Sequence, residues 1–170
     1  NTSISLSADI DFGGAQLGPI GNATTNFSGT FDGGKHVISN VKILGTVDDD
    51  NMGFIGYGAA TSKVSNLILS GITVTGGLKV GGATGYSEGT IQKVAVQGSS
   101  LVESVVNAGS IKVGGIAGQL YKPGVIDQSK VGNSVIVRAT QSNASEIGGI
   151  VGNLLGTALT AGNFATVQNS

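Results

Sequence analysis

A tetrapeptide of the form Gly-Φ-Φ-Gly, where Φ is mostly apolar, recurs along this chain. It stands at Gly53-Phe54-Ile55-Gly56, Gly82-Ala83-Thr84-Gly85, Gly115-Ile116-Ala117-Gly118 and Gly149-Ile150-Val151-Gly152. The closing glycines are 29, 33 and 34 residues apart. A second pattern, Φ-x-x-Φ-x-Φ, accompanies it at Ile38/Val41/Ile43, Val64/Leu67/Leu69, Ile91/Val94/Val96 and Ile126/Ser129/Val131, with a weaker copy at Leu159/Gly162/Phe164. Gly45, Gly71 and Gly98 each follow the first apolar position of a copy by seven residues. Self-similarity at this period marks a chain built of stacked units, none of which can bury its apolar side alone.

The spacing inside the unit selects the structure. The last two apolar positions alternate, so they share one face of a strand. The first precedes the second by three residues, which breaks strand parity unless the backbone bends between them. Strand, corner, strand describes one coil of a β-solenoid, and about five to six coils stacked at ~4.8 Å would share one apolar core. Glycine belongs at corners where positive φ or close backbone approach excludes a Cβ. The uneven period is tolerable because lengthening a corner loop costs little. Helix fails as an alternative: Gly, Thr, Ser, Asn, Val and Ile dominate, and most are poor helix formers.

The opening is less repetitive. Ile4, Leu6 and Ile10 alternate as an opening strand, and Asp9, Asp11, Gly13 and Gly14 read as a turn cluster. Pro19 to Asn26 reads as a loop and Phe27 to Phe31 as a strand. Asp32-Gly33-Gly34 reads as a tight turn before His36 to Leu44.

Composition narrows the function classes. Glycine occupies 30 of 170 positions, far above the average of about 7%. Charged residues make up 11%, against about 25% in ordinary domains. With 39% hydrophobic residues the chain is not of the disordered type. The absence of Cys removes disulfide scaffolds, thiolate metal sites and cysteine nucleophiles. Nine basic residues and a formal charge of −1 argue against a nucleic-acid face. After Glu146 the chain carries no charge, and Gly148, Gly152 and Gly156 have small-xxx-small spacing, but Asn153, Thr157, Thr160 and Asn163 interrupt it, so no membrane span is expected.

The run "SADIDFGGAQLGPIG…FSGTFDGGKHVISNVKI" resembles the opening coils of right-handed β-helix surface proteins. The segments "GFIGYGAATSKVSNLILSG", "GGATGYSEGTIQKVAVQG" and "GGIAGQLYKPGVIDQSKVG" resemble GLUG-motif repeats. That family occurs in large extracellular, adhesin-like bacterial proteins, and the likeness covers nearly the whole chain. It implies an all-β, right-handed parallel β-helix forming a single domain over residues 1–170, with opening coils at 1–45 and GLUG-like repeats at 46–170. It also implies a location that is extracellular, on the cell surface or secreted. The family has no common catalytic motif to carry over. Thr84, where a bulky residue is usual, and Ser129 in an apolar slot depart from the pattern.

Several residues invite a chemical reading. Gly29-Thr30-Phe31-Asp32-Gly33-Gly34-Lys35 has phosphate-loop spacing, but His36 stands where a Ser or Thr is needed and a strand follows instead of a helix, so a β-turn with a solvated lysine is expected. His36 is the one histidine; Asp32 and Ser39 are its nearest chemical neighbours in sequence, and a surface role is expected. Asp48, Asp49 and Asp50, followed by Asn51, are candidate calcium ligands, with a solvated loop as the competing reading. Tyr57 and Tyr86 hold the same repeat position, which suggests an aromatic pair stacked between coils or a glycan contact. Asn40 and Asn66 are expected to share a position as a short amide ladder, with Lys93 and Gln128 following them.

Parallel β-helices also carry polysaccharide lyases and hydrolases. Such work needs paired carboxylates, or a base with metal-binding acids, on one face. Glu88, Glu103, Asp127 and Glu146 are isolated in sequence, and Arg138 is the one arginine. Thr73-Val74-Thr75 is one T-x-T unit of the kind that forms ice-binding faces when repeated. The expected function is therefore non-enzymatic: an adhesin-like structural or binding module, the rigid shaft of a surface protein or a self-associating filament. Its partners would be a host or cell-surface protein or a glycan, or its own copies end to end. A carbohydrate-active enzyme and an ice-binding solenoid are the alternatives.

Overall fold

Five short strands make one coil: Lys63–Ser65, Ile68–Ser70, Thr73–Gly76, Lys79–Gly81 and Thr84–Ser87. In the computed structural model, which describes residues 2–106, 109–140, 145–155, 166–168 and 170, each of these strands pairs in parallel with its equivalents in the coils before and after. The result is an all-β parallel solenoid of about four turns with five sheets running along it, and no helix occurs among the described residues. An opening coil precedes the regular turns, so the expected five to six coils are nearly met. The opening strand divides into Ser3–Ser5 and Ile10–Asp11. Phe27 makes an isolated bridge to Gly58, separate from the strand Thr30–Asp32.

Like stacks on like. Phe31, Val64, Ile91 and Ile126 form one inward column of the first sheet. Ile38, Leu69, Val96 and Val131 form another in the second. Ile43, Val74, Val102 and Val137 continue in the third, and Met52, Val80, Val113 and Ile147 in the fourth. Leu67, Leu69, Ile72, Val74, Val80, Val94 and Val96 have no exposure at all. Each fully buried aliphatic side chain is worth about 1.5–3 kcal/mol of transfer free energy.

The corners explain the sequence pattern. Between the first and second sheets the chain turns through one left-handed residue, Asn66 (φ 51°) or Lys93 (φ 56°), followed by a buried apolar one, Leu67 or Val94. The corner between the second and third sheets repeats this device with Asn40 (φ 54°) and Gly71 (φ 61°), followed by Val41 and Ile72. Both corners therefore produce the spacing Φ-x-x-Φ-x-Φ.

That degeneracy corrects the first repeat copy. Ile38 lies beside Leu69, while Phe31 is the partner of Val64, because Gly33-Gly34-Lys35-His36 spans the corner that Asn66-Leu67 spans in the next coil. Asn40 and Asn66 consequently belong to different corners and form no ladder. Gly71 follows the strand paired with the one before Asn40, whereas Gly45 hydrogen-bonds at the level of Thr75. The copy at Leu159/Gly162/Phe164 lies outside the described residues. Thr166–Gln168 is the last described strand of the first sheet, with Val167 level with Ile126.

The closing glycines of the Gly-Φ-Φ-Gly units sit where coils press together. A Cβ on Gly85 would lie 2.4 Å from the Met52 amide nitrogen, and one on Gly118 2.5 Å from that of Val80. Gly152 repeats the contact at 2.5 Å from Val113 N. The sequence keeps glycine there because no side chain fits against a neighbouring backbone. Thr84 is buried and its hydroxyl donates to the Tyr86 carbonyl at 2.9 Å. Ser129 is likewise buried, accepting from Val94 N at 3.1 Å and donating to Asp127 O at 3.0 Å.

Candidate functional site

The outer face of the fifth sheet carries an aromatic ladder. Tyr57 and Tyr86 pair in register, with ring centroids 4.4 Å apart and planes inclined by 30°. Tyr121 continues the row at 6.1 Å from Tyr86. Both hydroxyls donate to the same oxygen of Glu88, Tyr57 at 3.2 Å and Tyr86 at 3.0 Å. Burial first, and then the adjacent Glu88 carboxylate, push the Tyr86 hydroxyl far above the ordinary phenol range. Tyr57 is raised in the same direction, again chiefly by burial. The pair stacks between coils as its shared repeat position suggested.

The candidate calcium ligands do different work from one another. Asp49 accepts from Thr46 N at 2.7 Å and Thr46 Oγ1 at 2.9 Å, and the backbone bond is the main reason its carboxyl lies below the usual range. The Asp50 carbonyl takes the Lys79 amide, and the Asp48 amide points to Thr46 Oγ1. Among the described residues no group of three His, Cys, Asp or Glu side chains is gathered as a metal site.

His36 finds its partner across the coils, not along the chain: its Nδ1 lies 3.2 Å from Asp9 Oδ1, which also accepts the Val37 amide at 2.9 Å. Asp32 instead accepts Gly34 N and the Asn66 amide side chain, both at 3.0 Å. Asp11 repeats that arrangement with Gly13 N at 2.8 Å and Asn40 Nδ2 at 2.9 Å. Backbone amide donors are the leading cause that holds Asp9, Asp11 and Asp32 below the ordinary carboxylate value. These are corner clamps, each tying its own turn to a neighbouring coil. Gly29 to Lys35 holds the strand Thr30–Asp32 and the turn after it, with Lys35 exposed at φ 68° and the strand Val37–Ser39 following.

The four isolated acids fall on four different parts of the coil. Glu88 follows the fifth-sheet strand, Glu103 lies in the third sheet, Asp127 in the first and Glu146 in the fourth. Glu103 is paired with Arg138, Asp127 accepts from Gln92 at 3.0 Å, and Glu146 is level with Lys112. Thr73 lies between Lys42 and Leu101, and Thr75 between Leu44 and Glu103, so the T-x-T unit does not repeat up the sheet.

A groove of about 310 Å3 runs along the outer face of the second sheet. Ile68 and Ala95 form its floor, in register with each other and with Lys130. Lys35, Lys93 and Lys130 stand over it, with amide side chains of Asn66, Gln97 and Gln128 beside them. The repeat pattern placed Asn66, Lys93 and Gln128 in one column, but only the folding of the chain sets that column beside the floor. A second cavity, about 260 Å3 and lined by Ile4, Leu6, Phe12, Phe31 and Phe54 among others, lies at the opening coil. No helix among the described residues is long and apolar enough to cross a membrane.

No family model matches the chain, and no solved structure matches it. Over 114 residues, 66% of its length, the chain is 34% identical to Halomucin of Haloquadratum walsbyi, and it spans about 1% of that protein.

Proposed function

We propose that this chain is part of the rigid shaft of an extracellular, adhesin-like surface protein, with right-handed coils of the GLUG-repeat kind and a binding role on its outer faces. The observation that carries this reading is the unbroken stacking of equivalent apolar positions through successive coils. Such a rod is stiff because every coil is hydrogen-bonded to the next, and it extends by adding coils. The likeness to about 1% of a protein bearing the name of a mucin supports a surface setting. The dispersal of Glu88, Glu103, Asp127 and Glu146 supports a binding role over catalysis, because glycoside chemistry needs two carboxylates flanking one bond. Protease shaving of intact source cells tests the location: peptides of this chain are expected in the released fraction, and their recovery only after lysis would reject the reading.

Self-association is the second part of the proposal. Among the described residues the outermost strands of the first sheet are Ser3–Ser5 and Thr166–Gln168, and parallel strand edges template further pairing. Joining the Val167 edge of one copy to the Ile4 edge of another would lengthen the rod. Light scattering behind size exclusion is expected to give a mass that rises with concentration. A monomer at every concentration, unchanged by Val167→Lys, would reject association through these edges.

A further inference from the structure

We propose that the lysine-lined groove on the second sheet binds an acidic, uronate-bearing polysaccharide strand. Lys35, Lys93 and Lys130 are exposed, and no hydrogen bond or ion pair among the described residues engages their ammonium groups. They are not converged on a point. Lys35 belongs to the first regular turn, Lys93 to the third and Lys130 to the fourth, so they are strung over about 14 Å, three coil steps at ~4.8 Å. A row of cations matches a chain that repeats its negative charge, not a single anion.

The backbone under two of these lysines, and under Gln128 beside them, is a second, independent observation. Lys35 (φ 68°), Lys93 (φ 56°) and Gln128 (φ 49°) all sit in the left-handed region, where glycine or asparagine carries less steric cost. Glycine occupies the equivalent turn of the next corner at Gly71 and Gly98. A chain with 30 glycines thus keeps lysine and glutamine at strained positions beside a groove. Strain retained where a cheaper residue is available points to a role for the side chain.

The floor and rim indicate the ligand class. Ile68 and Ala95 offer a shallow apolar surface for the carbon face of a sugar ring. Gln97 and Gln128 offer donors and acceptors for hydroxyls, while Asn66 already gives one amide hydrogen to Asp32. An acidic peptide fits less well. Peptide strands gain affinity by extending a sheet edge, whereas the groove runs across strands whose main-chain groups are already used between coils.

The inference deepens the proposed binding role, and the two fail separately: shaving tests where the chain resides, and titration tests what the groove holds. Short oligogalacturonate is titrated into the intact chain by calorimetry, and amide shifts are followed by NMR. Saturable binding is expected, weakening with salt, with shifts centred on Asn66, Lys93 and Ala95. Lys93→Gly, and separately Lys93→Asn, remove the charge while suiting the backbone. Each should leave the melting temperature unchanged or higher and weaken binding by about two- to fivefold. Lys35→Gly/Lys93→Gly/Lys130→Gln should weaken it by at least about tenfold. The proposal is overturned by absence of saturable binding at low salt, by equal binding of oligoglutamate or a neutral oligosaccharide, by shifts elsewhere, or by unchanged affinity in folded variants.

Discussion

Arg138 donates from Nε and Nη2 to the two carboxylate oxygens of Glu103 on the preceding coil, at 2.8 and 3.3 Å. The two residues are exact cross-coil partners in the third sheet, 35 positions apart in sequence. Glu103 is largely buried, with its side chain 11% exposed, whereas that of Arg138 is 56% exposed. The carboxylate therefore depends on the fork more than the guanidinium does. Arg138→Met should lower stability by about 1–2 kcal/mol, less than a fully buried pair would lose because the arginine faces water. Glu103→Gln added to Arg138→Met should recover part of the loss. Urea midpoints check this, and an Arg138→Met change below about 0.3 kcal/mol would mean the pair is solvated.

Leu67→Asp and Val94→Asp should unfold the protein, since both sites have no exposure and an unpaired buried carboxylate costs several kcal/mol. Lys63→Asp, on the exposed side of the coil that holds Leu67, should stay within about 0.5 kcal/mol. Circular dichroism melts distinguish the three, and equal tolerance would contradict the inward register.

Gly118→Ala should destabilise by at least about 2 kcal/mol, because its Cβ would meet Val80 N at 2.5 Å with no flexible side chain to yield. Gly18→Ala places its Cβ in open space and should be close to neutral. Comparable losses at the two sites would show that backbone freedom, not the close approach of coils, accounts for the glycine column.

Stability should fall at both ends of the pH scale for opposite reasons. Asp9, Asp11, Asp32 and Asp49 have folded values below the ordinary 3.8, so their contribution is present above about pH 4 and is lost as pH falls through the folded values. Tyr57 and Tyr86 have folded values above the ordinary 10.0, so the fold keeps their protons and loses stability as pH rises beyond about 10. Absorbance titration should show these two phenols ionising late, and Glu88→Gln should bring both downward. Ionisation of Tyr57 and Tyr86 at the ordinary phenol value near pH 10 would contradict the ladder.

The amino-acid pattern alone determined that the chain is a stack of short strands. Gly-Φ-Φ-Gly and Φ-x-x-Φ-x-Φ encode which residues face inward, and the buried columns from Val64 to Ile126 and from Leu69 to Val131 follow them. The shared position of Tyr57 and Tyr86 was legible for the same reason. The register of the first copy was not, because two successive corners use the same left-handed turn and give the same spacing. Only hydrogen bonding between coils separates Asn40 from Asn66. The pairs His36 with Asp9 and Glu103 with Arg138 span 27 and 35 residues, and coils of unequal length hide such partners until their ladders lock. The lysine groove belongs to tertiary structure too. Its cations come from three turns, and what brings them over one apolar floor is the stacking of strands, not their nearness along the chain.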